Sequence, residues 1–299
     1  MKIAVGIPAF NEEKNIERII LQLQSITDTI IVCNDGSKDS TGSLAKKLGA
    51  FVIDHPKNLG YGASIRSIFL KAREIDCDVL VTFDGDGQHR IEDITPVLEP
   101  IKNKEADIVI GSRFLEKNEE VPSYRKIGIK VITKITNAYS GKELTDSQSG
   151  FRAYTKKVLE ECTPSESGMG VSTEILMKAF KNNFKILEVP IIVLYEGDTS
   201  THNPVSHGVG VVFSTLKFIS VDHPLKFYGI PGIGFLAIGL FFILWTIQIF
   251  TESREIITNI ALIGISTTIF GIILLMTSIM LFSIVTVVRE RENKKIKKN

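Results

Sequence analysis

Between residues 227 and 251, and again between 256 and 288, the chain carries no Asp, Glu, Lys or Arg. At about 1.5 Å per helical residue, either run is long enough to cross the roughly 30 Å hydrocarbon core of a bilayer. A charge at mid-membrane costs on the order of 3 kcal/mol, and neither run contains one. Core helices of soluble proteins seldom hold more than about 14 uninterrupted apolar residues. Two transmembrane helices, 227–251 and 256–288, are therefore expected. Lys217 and Lys226 precede them, and the segment 289–299 that follows holds six basic and two acidic side chains. The connection T-E-S-R-E has only Arg254. By the positive-inside rule both ends of the hairpin are cytoplasmic, and the basic tail suits anionic lipid headgroups.

The preceding 226 residues read as a soluble domain. The opening apolar run, K-I-A-V-G-I-P, is too short for a secretory signal, so this domain is expected to stay in the cytoplasm. Cys33, Cys77 and Cys162 are far apart and odd in number, which disfavours both a disulfide framework and a zinc site. A net charge of +1 leaves no chain-wide basic field for nucleic acid.

Up to residue 112, five apolar, β-rich runs start near Lys2, Thr29, Ala50, Asp78 and Asp107, with helical patterns beginning near Glu12, Lys38, Tyr61 and Ile91. Strands that are apolar throughout, alternating with helices, predict an α/β fold with a mainly parallel sheet. Ligands of such sheets collect beyond the strands' carboxyl ends. Four polar clusters stand at those ends: P-A-F-N-E, N-D-G-S, D-G-D-G-Q-H and G-S-R. Further on, the polar segment 115–124 reads as a mobile loop, followed by helices near 124–140 and 171–181 and a strand-like I-L-E-V-P-I-I-V-L. The domain is expected to span 1–204, with 205–226 either an interfacial amphipathic helix or a core helix.

Asp84 and Asp86 follow a buried strand on a glycine-relieved turn. Two carboxylates one residue apart can hold a hard divalent ion against a diphosphate, with Gln88 as a third oxygen and His89 as a hydrogen-bonding group. A calcium EF-hand is excluded, because the twelfth position counted from Asp84 is Thr95 and the preceding element is a strand. Asp35 is placed to accept hydrogen bonds from a base or ribose, with Gly36 allowing close backbone approach; a plain capped turn explains N-D-G-S equally well. Gly60 and Gly62 do not complete a dinucleotide fingerprint, since Ile65 stands where the third glycine belongs, and no P-loop occurs.

The ordered set P-A-F-N-E, N-D-G-S, N-L-G-Y-G, D-G-D-G-Q-H, G-S-R and D-S-Q-S-G-F-R, followed by a membrane hairpin, resembles family 2 glycosyltransferases of the dolichyl- or polyprenyl-phosphate sugar synthase type, with an archaeal cast. The resemblance implies a GT-A, Rossmann-like fold, a nucleotide-sugar donor, Mg²⁺ or Mn²⁺, and a dolichyl or polyprenyl phosphate acceptor. It assigns Pro8, Phe10, Glu12, Asp35, Gly36 and Asp84 to the nucleotide-sugar, and Asp84, Asp86 and Gln88 to the metal. Arg113 and Arg125 match positions that hold the acceptor phosphate, while Asp146 and Arg152 shape the acceptor side. Asn34 replaces an aspartate common in the family, and an arginine that some relatives carry near Glu196 is missing. A UDP-sugar donor of glucose or N-acetylglucosamine is the expected substrate, with GDP-mannose as the alternative. An inactive membrane-tethered nucleotide-binding module is the reading from another class. A processive polysaccharide synthase is disfavoured, because the only Trp, Trp245, lies inside the first apolar run. The sequence carries no signal of oligomeric state.

Overall fold

A computed structural model of the chain describes residues 1–115, 123–194 and 204–296. The expected loop at 115–124 falls largely outside these, as does Glu196. The chain divides into two compact units, Met1–Thr215 and Leu216–Asn299.

In the first unit the elements follow in the order β1 (Ile3–Ala9), α1 (Glu13–Leu23), β2 (Ile30–Asn34), α2 (Thr41–Lys47), β3 (Phe51–Asp54), α3 (Tyr61–Glu74), β4 (Val79–Thr82), α4 (Ile94–Lys102), β5 (Ile108–Ser112), α5 (Ser123–Ser140), β6 (Arg152–Thr155), α6 (Lys156–Glu161), α7 (Val171–Lys181) and β7 (Ile186–Pro190). α8 (Pro204–Asp222) follows, and the division between units falls within it.

The strands form one sheet in the order β3-β2-β1-β4-β6-β5-β7, with β6 antiparallel to both its neighbours and every other pairing parallel. Helices cover both faces, which is why the central strands β1, β2, β4 and β5 are buried along nearly their whole length rather than alternating. Val5, Ile7, Ile30 and Val32 join the core beneath α1 and α4. Ala4, Ile31 and Cys33 point the other way, into the core built with α3, α6 and α7. Burial pushes the Cys33 thiol up to about 12, consistent with a packing role. α1 seats itself through Ile16, Ile19, Ile20 and Leu23, all buried, at the spacing of a single helical face. Each contributes about 2 kcal/mol by burial, and Leu23→Ala would cost about 3 kcal/mol with its cavity.

The local pattern does not announce β6. It opens with Arg152, a residue type that argues against a buried strand, yet pairs Arg152 with Thr82 of β4 and Ile110 of β5. Because β6 runs antiparallel, its first residue reaches the same sheet edge as the last residues of β1, β2, β4 and β5.

In the second unit a π-helical turn at Leu225–Gly229 leads into α9 (Ile230–Ser253), which pairs with α10 (Thr258–Ile296). The apolar segments Leu225–Ser253 and Thr258–Val288 are long enough to cross a bilayer. They are scarcely buried within the chain, unlike the core helices of a soluble protein. The two helices meet closely at small residues such as Gly232, Gly239 and Gly271, and Phe235 packs edge-on against Phe270 at 4.9 Å. The basic segment beginning at 289 continues α10 as far as Ile296.

Candidate active site

The chain steps outward from β1 to β2 and β3, then returns to β4 on the other side of β1. That reversal opens a crevice at the carboxyl ends of β1 and β4, the place where open α/β sheets bind ligands. Residues 10–12 flank it on one side and 84–86 on the other. Asn11 adopts a left-handed φ of 58°, and its Oδ1 accepts from Lys38 N at 2.9 Å. Asn11 N donates to Ser37 Oγ and Glu12 N to Thr41 Oγ1, at 2.9 and 2.8 Å. The turns after β1 and β2 are thereby tied into one rim. On it Phe10 is 38% exposed, Pro8 is half-buried, and Glu12 is half-buried beside Asn15.

Asp35 is less open to a ligand than its motif implies. It is buried, its Oδ1 lies 2.6 Å from His55 Nδ1, and its two oxygens accept from Leu59 N and Gly60 N at 2.9 Å each. A carboxylate offers about four lone-pair sites, so one acceptor position remains after these three. Gly36 has φ +71°, and a Cβ there would come within 2.4 Å of the Lys57 backbone. Its missing side chain serves an approach of two protein loops.

Asp84 stands at the centre of the crevice. Its Oδ1 accepts from the Tyr61 hydroxyl at 3.1 Å, and its Oδ2 from His89 Nε2 at 3.1 Å. Burial works against its charge. The His89 contact, then Tyr61 and the Arg113 charge, outweigh burial and hold its carboxyl below the usual range. Asp86 shifts the opposite way, raised by burial and by the neighbouring Asp84 charge. Glu12 is raised as well, by burial first and then by Asp86, Asp39 and Asp84. Glu12 and Asp86 thus carry repulsion from neighbouring carboxylates on top of their burial.

Among the described residues, no three His, Cys, Asp or Glu side chains are placed to enclose a metal by themselves. Two carboxylates with open positions suit Mg²⁺ or Mn²⁺, which commonly take one or two protein carboxylates and complete their shell with substrate phosphates and water. Gly150 keeps that space open, since a Cβ there would lie 2.9 Å from Asp84 Oδ2 and 2.5 Å from the Tyr61 hydroxyl. Gln88 joins the crevice through its backbone, donating to Asp86 Oδ1 at 3.0 Å. The His89 ring sits between Phe83 and Phe151, and its buried Nδ1 has no hydrogen-bond partner among the described residues.

At the end of β5, Arg113 is clamped side-on by Asp146: Nε to Oδ2 at 2.6 Å and Nη2 to Oδ1 at 2.9 Å. Asp146 is fully buried and also accepts from Gln148 N and Ser149 N at 3.1 Å. Burial opposes its charge, but Arg113 and these amides hold its carboxyl low. Behind it, Glu188 of β7 accepts from Thr145 N and Asp146 N at 2.8 Å each. Arg152 is also fully buried and spends its guanidinium on the carbonyls of Ser172 and Ser147, at 2.9 and 2.8 Å. Its guanidinium is thereby spent on holding the turn that begins at Ser147 and is closed to solvent. Arg125 lies on the first turn of α5, with its side chain outside the described residues.

The sequence reading did not single out Tyr61, His55 or Glu188 as members of this site. For Glu188 a signal was present, a carboxylate inside an otherwise apolar strand. Tyr61 lies within N-L-G-Y-G, which enters the resemblance without a role for its tyrosine and fails as a dinucleotide fingerprint.

Comparison with known proteins places this geometry in context. The profile of the family described as Glycosyl transferase family 2 matches residues 4–163, which take in the acidic pair, Arg113 and Asp146. The chain is 36% identical over 211 residues to the UDP-N-acetylglucosamine–dolichyl-phosphate N-acetylglucosaminyltransferase of Methanococcus voltae, a match covering 63% of this chain and 84% of that one. To the dolichol-phosphate mannosyltransferase of Pyrococcus furiosus it is 35% identical over 202 residues, 64% of this chain and 56% of that one. The fold is shared with glucosyl-3-phosphoglycerate synthase of Mycobacterium tuberculosis, solved with Mn²⁺, UDP and phosphoglyceric acid. The TM-score is 0.56 at 20% identity, over 72% of this chain and 78% of that one. The expected GT-A architecture is accordingly the one present.

Proposed function

The chain belongs to glycosyl transferase family 2 and is a glycosyltransferase; from that premise we propose that it moves a hexose from a nucleotide-sugar onto dolichyl or another polyprenyl phosphate at a membrane surface. The observation carrying this reading is the meeting, on one sheet edge, of the Asp84–Asp86 pair with the Asp146-clamped Arg113, in a chain that also bears two membrane-length apolar helices. A UDP-sugar of glucose or N-acetylglucosamine is the donor we favour, supported by the donor named in the Methanococcus relative. GDP-mannose is the second reading, supported by the mannosyltransferase name of the Pyrococcus relative. The catalytic unit and both termini are assigned to the cytoplasmic side by the distribution of Lys and Arg.

In this reading Asp84 and Asp86 hold a divalent ion, with Gln88 as a further oxygen, and Phe10, Pro8, Glu12, Asp35 and Gly36 border the nucleotide. When bound, the metal ion offsets the negative charge that develops on the departing nucleotide diphosphate. A phosphate monoester has a second pKa near about 6, so the acceptor is largely a dianion at neutral pH and needs no protein base. Arg113 and Arg125 hold that anion near the anomeric carbon without collision with the donor's phosphates. An acceptor oxygen forms the new bond to that carbon as the bond to the diphosphate breaks, and the configuration inverts.

The test uses the full chain in liposomes with polyprenyl phosphate and, in separate reactions, labelled UDP-glucose, UDP-N-acetylglucosamine and GDP-mannose. Label should enter the lipid fraction with one donor, vanish on chelation and return with Mg²⁺ or Mn²⁺. Undiminished transfer after exhaustive chelation would defeat the metal assignment; no lipid product from any donor would defeat the acceptor assignment.

A further inference from the structure

His55 stands directly after β3 and ties that strand to β2 and α3. Its amide donates to the Asn34 carbonyl on β2 at 2.9 Å. Its Nδ1 lies 2.6 Å from Asp35 Oδ1, while its Nε2 lies 2.9 Å from Ser67 Oγ on α3 and 3.6 Å from Cys33 Sγ. The side chains of His55 and Asp35 are only 9% and 5% exposed. Buried polar groups need partners, and both imidazole nitrogens have them. Asp35 also accepts from Leu59 N at Oδ1 and from Gly60 N at Oδ2. Backbone amides only donate, so the carboxyl group works as a hydrogen-bond acceptor on both oxygens. The proton of the short contact to His55 therefore belongs to Nδ1. Oδ1 is then filled by two donors, and the position left among the described residues is on Oδ2.

An acceptor oxygen with one position left calls for a ligand that gives a hydrogen. Nucleobases divide on this point: uracil N3 and guanine N1 carry a hydrogen, whereas cytosine N3 and adenine N1 present a bare lone pair. A bare ring nitrogen against Oδ2 would set two hydrogen-bond acceptors face to face in a buried place, which a site built to receive a hydrogen rejects. We propose that His55 is a positioning residue for the choice of base: by fixing Asp35 as a hydrogen-bond acceptor, it makes the site take nucleotides of uracil or guanine and refuse those of cytosine and adenine. The inference rests on the nucleotide-sugar reading above and narrows its substrate class by the base. Without the imidazole, Oδ1 keeps the Leu59 amide alone and the carboxylate plane can turn, so Oδ2 loses its aim. Ser67 acts one bond further out, by holding the ring that holds Asp35.

The experiment titrates the full chain, in detergent with Mn²⁺ present, with UDP, GDP, CDP and ADP in a calorimeter. The parent should bind UDP or GDP at least about tenfold more tightly than CDP and ADP, the worth of one hydrogen bond to a charged group. His55→Leu should erase that preference. His55→Asn, whose Nδ2 stands where the imidazole Nδ1 does, should keep it. A preference that survives in His55→Leu would overturn the role of His55, since a merely structural residue changes all four affinities together. Loss of the preference in both variants alike would assign the effect to packing and overturn the hydrogen-bond role. Should His55→Leu fail to fold, as its melting curve would show, Asp35→Asn decides the matter. Its amide can offer a hydrogen to cytosine N3, so CDP should gain on UDP by about tenfold, and an unchanged ratio would overturn Asp35 as the group that meets the base. A parent chain that binds none of the four nucleotides would sink the nucleotide-sugar reading itself, whereas equal affinity for all four would sink the present inference alone.

Discussion

The clamp between Asp146 and Arg113 sets a quantitative expectation. Asp146→Ala removes an acceptor serving two Arg113 side-chain donors and the amides of Gln148 and Ser149. Leaving two amides without a partner in a buried turn costs about 1–3 kcal/mol each. Stranding a buried charge costs about 3–5 kcal/mol, but the Arg113 side chain is 17% exposed and can turn partly to water, so only a fraction applies. The sum is about 4 kcal/mol for Asp146→Ala, and about 2 kcal/mol for Asp146→Asn, whose remaining oxygen still serves the amides. Arg113→Ala leaves Asp146 buried with its amides alone, at about 3 kcal/mol. The double variant should cost less than the two singles together, with a coupling of about 2 kcal/mol. In a unit of this size about 1 kcal/mol moves Tm by about 2–4 °C, so Asp146→Ala should melt about 10 °C early in a thermal scan of the detergent-solubilised chain. Arg113→Ala should also raise the KM for lipid phosphate while the donor KM stays unchanged. A coupling near zero, or a raised donor KM with an unchanged acceptor KM, would refute the argument that Asp146 positions Arg113 for the acceptor.

Three further expectations follow from the same geometry. Asp86→Asn removes a charge that burial and Asp84 already oppose, so Tm should hold or rise while transfer falls at least about a hundredfold; a variant that keeps parental turnover would exclude Asp86 from the metal. Tyr61→Phe keeps the ring but takes one donor from Asp84, and kcat/KM should drop about tenfold at nearly unchanged Tm; unchanged kinetics would show that His89 alone orients Asp84. Glu174 is held below its ordinary value despite burial, by Lys178, Ser165 and the amide of Glu166. The stability it adds is complete above the unfolded value near about 4.3 and is lost as pH falls through its lower folded value. Melting curves of the parent and Glu174→Gln should therefore lie apart at neutral pH and converge as the pH drops below about 4; a constant gap would contradict the shift.

Much of this molecule follows from its sequence because the relevant forces act locally. Strands that are apolar throughout can only be buried on both faces, and α1 declares its inner face through Ile16, Ile19, Ile20 and Leu23. The position of Asp84 and Asp86 at a strand end is likewise a local fact, as is the lack of charge in the two C-terminal runs. What a polar side chain does once folded is not local. Asp35 reads as a ligand-facing acid until His55 and the amides of Leu59 and Gly60 occupy most of it. Arg152 is assigned by resemblance to the acceptor side, but β6 slips antiparallel between β4 and β5 and buries it against carbonyls at Ser147 and Ser172. Glu188 and Tyr61 enter the site only because the sheet brings them to Asp146 and Asp84 across 42 and 23 positions of chain. Apolar periodicity reports what each segment must hide from water, whereas hydrogen bonds and charges are settled by whichever partner the closed sheet delivers, and that choice belongs to the tertiary structure alone.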